Sequence, residues 1–423
     1  MQPPLNIFVP HCSDLLTDHL PHGDGLIAHG FITNLARRGH RLHVAARRVD
    51  LREPLHQNIT LHEIPVKATG RVFSRLEYMI RVRALLNKLR KRHRFDLVHQ
   101  LNPVFTGISL SLIRSDLPLV LGTYVARWPD DPDSLTSRQG WSGRLLGLGR
   151  SLISLLQQRQ ADVLLLTTPA ACNRLPQVRD VRERIQFLPH GIDSEFFCPA
   201  PDGDSSDSPR ADQQHLSILF FANVVERKGI FTLLEAFPAL TEEFPDLVLR
   251  IAGDGLALSE VKRRVSALPC ARKIEFLGKR ERSEAPGLYR NASVYCLPSF
   301  GEPYATTVLE AMSCAKPVVV TDAGGLAHMV HDRGGKKVPV GDPAALADAL
   351  RVLLRDPSKR LAMGRYNRKL VETSMTWEHV TRRLEEIYSE ILKKTEIARS
   401  HGQGRDHVPL LNRTTGTRFQ ERS

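Results

Sequence analysis

The feature that most narrows the folds open to this chain is an alternation of short apolar runs with helical patterns, each join marked by glycine or proline. Leu5 to Val9, Arg41 to Ala46, Phe95 to His99, Leu117 to Gly122 and Asp162 to Thr167 read as strands. A helix is expected near Leu26 to Arg38, closed by Gly39. The pattern restarts with a strand at Leu216 to Ala222, a helix from Gly229 to Leu240, and strands at residues 247–252, 274–278 and 293–298. Strands that are apolar throughout and separated by helices argue parallel sheets covered on both faces. Residues 199–215 are rich in Pro, Ser and Asp without apolar periodicity, so they read as a linker. The expected layout is an α/β domain over 1–198, a second over 216–375, a helical segment over 376–395 and a disordered basic tail over 396–423.

A chain of 423 residues can bury two cores of ordinary size, and 42% hydrophobic with 25% charged residues is normal for a globular protein. No apolar run reaches the ~18 residues of a spanning helix. Met1 to Pro10 lacks a basic and apolar leader pattern, so a signal peptide is not expected. The six cysteines are scattered without metal-ligand spacing and read as buried thiols in a reducing cytoplasm; no metal site is expected. The net charge of +13 is uneven. Arg71 to Arg94 carries ten basic groups, one a histidine, against a single acid, Glu77; Ser134 to Ala161 carries no acid. Both segments mix basic and apolar residues. They fit an anionic membrane surface and, equally, a solvated helix face. No nucleic-acid-binding motif accompanies the charge, so nucleic acid is not an expected partner.

The chemistry concentrates in Phe300-Gly-Glu-Pro-Tyr-Ala-Thr-Thr-Val-Leu-Glu310-Ala-Met. It follows an apolar strand, turns at Gly301 and Pro303, and enters a helix with Thr306 or Thr307 as the expected N-cap. Ligands of α/β sheets sit beyond the carboxyl ends of the strands, and a helix start there favours phosphate near Ala305 to Val308. Glu302 and Glu310 flank this position. A carboxylate accepts bidentate hydrogen bonds from sugar hydroxyls, so one suits a transferred sugar and the other a ribose. Two glutamates at this spacing would, on their own, be a loop charge and an exposed helix residue.

Glu302-Pro-Tyr…Glu310-Ala-Met followed by Lys316-Pro-Val-Val-Val-Thr-Asp-Ala-Gly-Gly325 resembles the E-x7-E signature of retaining, nucleotide-sugar-dependent glycosyltransferases of the GT-B fold. Within these, the resemblance is to family four, the glycogen-synthase-like and bacterial mannosyltransferase-like enzymes. It covers roughly Leu5 to Leu392 and is strongest from Ser217 to Pro343. It implies two Rossmann-like, doubly wound domains with an interdomain cleft, the last helix crossing back to the first domain. It also implies a nucleotide-sugar donor on the second domain, a glycan or lipid-linked acceptor on the first, and no cofactor or metal. The implied catalytic groups are Glu302, Lys228 and Arg227, the cations neutralising the leaving diphosphate. Asn223, Gly253, Ala305, Thr306, Thr307 and Glu310 would contact the donor, with Glu310 on the ribose and Glu302 on the sugar. Gly23 and Gly25, on an expected loop after the first strand, and Tyr124 would face the acceptor. Ile185 to Asp193 resembles the family's segment at the join between halves.

The sequence departs from the family in five places. Asn223 or Ala222 stands for an arginine ahead of the loop lysine, and Tyr124 for a histidine. Ala305 and Ala315 stand for glycines, and His328 for a glutamate. Losing one diphosphate cation leaves Arg227 to substitute. The alternatives are a nucleotide-sugar epimerase on the same scaffold and a non-catalytic sugar-nucleotide-binding relic. The expected place of work is the cytoplasm, with peripheral attachment to the inner membrane face as an extension.

Overall fold

The computed structural model describes residues 3–20, 23–101, 107–112, 116–124, 152–175, 178–200 and 216–400. Two all-parallel sheets organise them. The first contains β1 (Asn6–Val9), β2 (Arg41–Ala46), β3 (Ile59–Glu63), β4 (Leu97–Gln100), β5 (Leu119–Tyr124), β6 (Val163–Leu166) and β7 (Ile185–Phe187), in the order 3-2-1-4-5-6-7. The second contains β8 (Ser217–Phe221), β9 (Val248–Ala252), β10 (Ile274–Gly278), β11 (Val294–Leu297), β12 (Val318–Thr321) and β13 (Gly335–Val338), in the order 10-9-8-11-12-13. In each sheet the order reverses beside the first strand, which opens a crevice at the strands' carboxyl ends.

Four of these strands, β3, β7, β12 and β13, are not among those expected from the sequence. β3, β7 and β13 are sheet edges, covered less fully than the centre, and they lack the continuous apolar run that marks a central strand. β12 is central, buried and apolar, and sequence reasoning missed it. Residues of β13, Gly-Lys-Lys-Val, are a clear case: charged side chains on an edge discourage pairing with another chain.

Alternation along β1 sends its side chains to two cores. Ile7 and Val9 pack with α1 (Gly23–Arg37), while Phe8 packs with Tyr78, Val82 and Leu86 of α2 (Arg71–Leu89). The second sheet forms one core with α3 (Ile230–Glu243), α4 (Leu258–Ser266), α5 (Thr306–Ser313), α6 (Pro343–Arg355) and α7 (Pro357–Ser374) around it. Helix α8 (Trp377–Ser400) returns to the first domain, where Val380, Leu384, Ile387, Tyr388 and Ile391 join the core under α1. Arg38 grips Glu385 through two nitrogens, each at 2.7 Å, and His40 Nε2 lies 3.0 Å from the same carboxylate. Residues 396–400, expected in a disordered tail, belong to this helix; residues 401–423 lie outside the described residues.

The two passages between domains run side by side. Ile192 N–H donates to Met375 O at 3.0 Å and Trp377 N–H to Ile192 O at 3.2 Å, a single parallel bridge. The Trp377 ring fills the space where Gly30 and Gly191 carry no side chain: a Cβ at either would lie 2.1 and 2.6 Å from ring atoms. The carboxyl edges of the sheets thereby face one another across a cleft.

Candidate active site

The site starts from two turns locked together by their backbones. After β8, residues Glu226–Lys228 make one 3-10 turn closed by Gly229 at φ 76. A Cβ there would lie 1.8 Å from the Pro298 carbonyl oxygen, so only glycine admits this approach. The loop after β11 answers: Phe300 N–H donates to Arg227 O at 2.8 Å. On the far side Gly325 N–H donates to Glu302 O at 2.5 Å, with the Gly325 Cα packed against Pro303 O.

These locks bring Arg227, Lys228 and Glu302 together. Glu302 is buried, and its Oε1 lies 2.7 Å from Lys228 Nζ and 2.9 Å from Arg227 Nη1. Ser299 Oγ is 3.0 Å from the same oxygen, and Arg227 Nη1 also donates to Gly301 O at 3.0 Å. The N-terminal domain closes over this loop: Thr168 Oγ1 donates to Pro303 O at 3.1 Å and Tyr304 OH to His190 O at 3.3 Å.

Helix α5 begins beside the cations, but its N-cap is Ala305 and neither threonine. Thr306 and Thr307 are already helical, and Thr307 Oγ1 is engaged by the Tyr295 hydroxyl at 2.7 Å. The cap therefore satisfies no N–H by a side chain, and the N–H groups of Thr306 and Thr307 have no acceptor among the described residues. That leaves donors and a positive helix end facing the crevice. Glu310 lies one turn in, half-buried, taking a 2.7 Å hydrogen bond from Tyr289 OH. Burial pushes its carboxyl up to about 7, against the opposing pull of Tyr289 and Arg282.

Asn223 and Gly253 sit at the same edge, past the ends of β8 and β9. Asn223 is exposed, and Gly253, at φ 131, packs so that a Cβ would lie 2.0 Å from Ala222 O. In the first domain Gly23 and Gly25, expected on an acceptor-side loop, occupy the first turn of α1; this helix starts three residues earlier than its apolar pattern does. The side chain of Tyr124, the last residue of β5, lies outside the described residues.

Sequence reasoning missed Ser299, Tyr289, Thr168 and Arg282. Arg282 stacks over Phe196 at 5.2 Å and Phe197 at 5.3 Å, on the segment entering the second domain. Its charge acts on Glu310 and on His29 of α1, one on each side of the cleft. Only Ser299 carried a signal, its place at the end of a strand just before the signature.

Two Rossmann-like domains, each built on a parallel sheet, define the GT-B architecture. Residues 25–196 match the family described as Glycosyltransferase Family 4, and residues 204–370 that described as Glycosyl transferases group 1. Together they take in most of the chain, and the chain belongs to this glycosyltransferase family. It is similar to a D-inositol 3-phosphate glycosyltransferase of Corynebacterium urealyticum, at 32% identity over 54% of this chain and 56% of that protein. It is also similar to a phosphatidyl-myo-inositol mannosyltransferase of Mycobacterium leprae, at 36% identity over 40% of this chain and 44% of that one. These matches span about half the length of either relative. Among solved structures, Anabaena Alr3699/HepE in complex with UDP and glucose superposes with TM-score 0.68 at 18% identity, over 91% of this chain and 99% of that one, a likeness of fold.

Proposed function

We propose that this chain is a retaining glycosyltransferase that moves a sugar from a nucleotide-sugar donor to a glycan or lipid-linked acceptor in cell-envelope glycolipid or polysaccharide synthesis. The observation that carries the reading is the meeting of Arg227, Lys228 and Glu302 beside the open N-terminus of α5. Two cations and unpaired N–H groups neutralise a diphosphate as its bond to the sugar breaks. The sugar's transition state is oxocarbenium-like, as in glycoside hydrolysis. Glu302, nearer the diphosphate's sugar end, reads the sugar; Glu310, one turn along α5, takes the ribose hydroxyls. With charge neutralised by side chains and backbone, the reaction runs without a metal. The name of one relative, a phosphatidyl-myo-inositol mannosyltransferase, favours a lipid-linked acceptor, and that of the other, a D-inositol 3-phosphate glycosyltransferase, favours an inositol phosphate.

The proposed location is the cytoplasmic membrane face. No helix among the described residues is long and apolar enough to cross a membrane. Helix α2 and the neighbouring helix 152–160 do expose Val72, Phe73, Leu76, Ile80, Leu152 and Leu156, with Arg75 and Arg81 alongside. Apolar side chains ringed by cations suit an anionic lipid surface.

Release of nucleoside diphosphate from UDP-, GDP- and ADP-sugars with a lipid extract as acceptor tests the reading. Release that depends on acceptor and persists in a chelator is expected. Interconversion of the donor sugar without release would favour an epimerase.

A further inference from the structure

We infer that Glu302 is an internal counter-anion that competes with the diphosphate for Arg227 and Lys228 and so expels the product. This rests on the reading of the site as a donor diphosphate site and adds a role to the one proposed for Glu302 there.

The geometry is that of a carboxylate already spent on the two cations. One oxygen, Oε1, takes the Lys228 ammonium at 2.7 Å, the Arg227 guanidinium at 2.9 Å and the Ser299 hydroxyl at 3.0 Å. Its position is not left to side-chain rotamers. The Glu302 carbonyl is held by Gly325 N–H, the Arg227 carbonyl by Phe300 N–H, and Gly229 presses against Pro298. Ser299 Oγ also lies 2.9 Å from Arg227 O, so this hydroxyl bridges the two turns. Glu302 is buried, with its side chain 6% exposed, while Lys228 is 16% and Arg227 28% exposed. The cations thus open toward the cleft and the carboxylate sits behind them. Two positive charges and one negative charge leave a net charge of one for an incoming diphosphate.

That arithmetic matters at the end of the reaction. A nucleotide sugar carries a diphosphate esterified at both ends. When the sugar leaves, the electron pair of the broken C–O bond stays on the phosphate oxygen, and the acceptor's proton passes on to water. The departing group is then one charge more negative than the donor was. Two cations without a counter-charge would hold this product more tightly than the substrate, and every turnover would end in a trap. A carboxylate fixed within hydrogen-bond distance of both cations weakens their hold on any anion, and it re-pairs with them as the product leaves. Opposite charges this close, partly shielded from water, interact strongly enough to matter at an effective dielectric near the surface value.

The test is calorimetric titration of UDP, GDP and ADP into the full chain and into Glu302→Gln, Glu302→Ala and the double variant Glu302→Gln/Lys228→Gln. Thermal melts establish that each is folded. Removing the negative charge is expected to tighten nucleoside diphosphate binding about tenfold or more, with a steeper loss of affinity as salt rises. The gain should vanish in the double variant, and product inhibition of Glu302→Gln should strengthen by the same factor. A carboxylate that only shaped the loop would weaken binding when removed. Unchanged or weaker binding in both single variants, with the unaltered chain binding normally, overturns the inference and leaves the donor site standing. Absence of binding in the unaltered chain and in all variants overturns the donor-site reading and the inference with it.

Discussion

The two sheets share a topology, yet their carboxyl edges hold polar groups in opposite ways. At the second edge Arg227 and Lys228 meet the buried carboxylate of Glu302, and burial raises Glu310 to about 7. In the first domain two buried histidines are instead held neutral by burial. His99 lies 2.5 Å from Tyr388 OH and also bonds Gly122 O, and burial pushes it down to about 4. His190, beneath Tyr304, is pushed down to about 3 by burial. The contrast follows from what each half is proposed to bind. A diphosphate presents the same charge in every donor and calls for fixed cations, whereas an acceptor is read by shape and hydroxyl contacts.

Lys228→Ala is the largest break in that contrast. It should weaken nucleoside diphosphate binding by roughly 1.5–3 kcal/mol, the range for hydrogen bonds to charged groups. Tyr124→Phe should leave that affinity unchanged and alter only the acceptor's KM. Equal losses of nucleotide affinity in both variants would erase the division between halves.

The exposed face of α2 provides the next effect. Phe73 and Ile80 are each 69% exposed. Replacing either with Asp should reduce affinity for anionic vesicles by about 1–2 kcal/mol, a part of the value of a fully buried side chain, without touching nucleotide binding. Flotation with anionic and neutral vesicles checks this, and equal binding to both kinds by the unaltered chain would count against a lipid surface.

A pH profile gives a smaller signal. Glu310 has its carboxyl raised to about 7 by burial, so below that pH it is mostly protonated and a poorer acceptor for ribose hydroxyls. Affinity for the intact donor, whose diphosphate does not titrate in this range, should rise by several-fold between about pH 6 and 8. Glu310→Gln should flatten the profile. A profile unchanged by that substitution would remove Glu310 from the ribose.

How far these features could be read in advance depends on how local their causes are. Central strands such as Val294–Leu297 announce themselves because both faces are buried. Edge strands β3, β7 and β13 do not, since half-covered strands tolerate polar residues. Glu302 and Lys228 are legible from their position between strand and helix. Tyr289, Thr168 and Arg282 arrive from elements remote in sequence and leave no local trace. The threonine N-cap failed because tertiary packing took Thr307 for Tyr295. Ala315 shows a departure with a physical price: where the family has glycine, it sits at φ 57, and Ala315→Gly should stabilise the fold by about 1 kcal/mol in thermal or denaturant melts.

The most direct measurement of the central claim is amide hydrogen exchange with and without saturating nucleoside diphosphate. Slowing should concentrate at 223–229 and 299–310, where Arg227, Lys228, Glu302 and the first turn of α5 meet. Slowing confined to the first sheet, around Gly23–Gly25 and β5, or absent from 223–229 and 299–310, would contradict it.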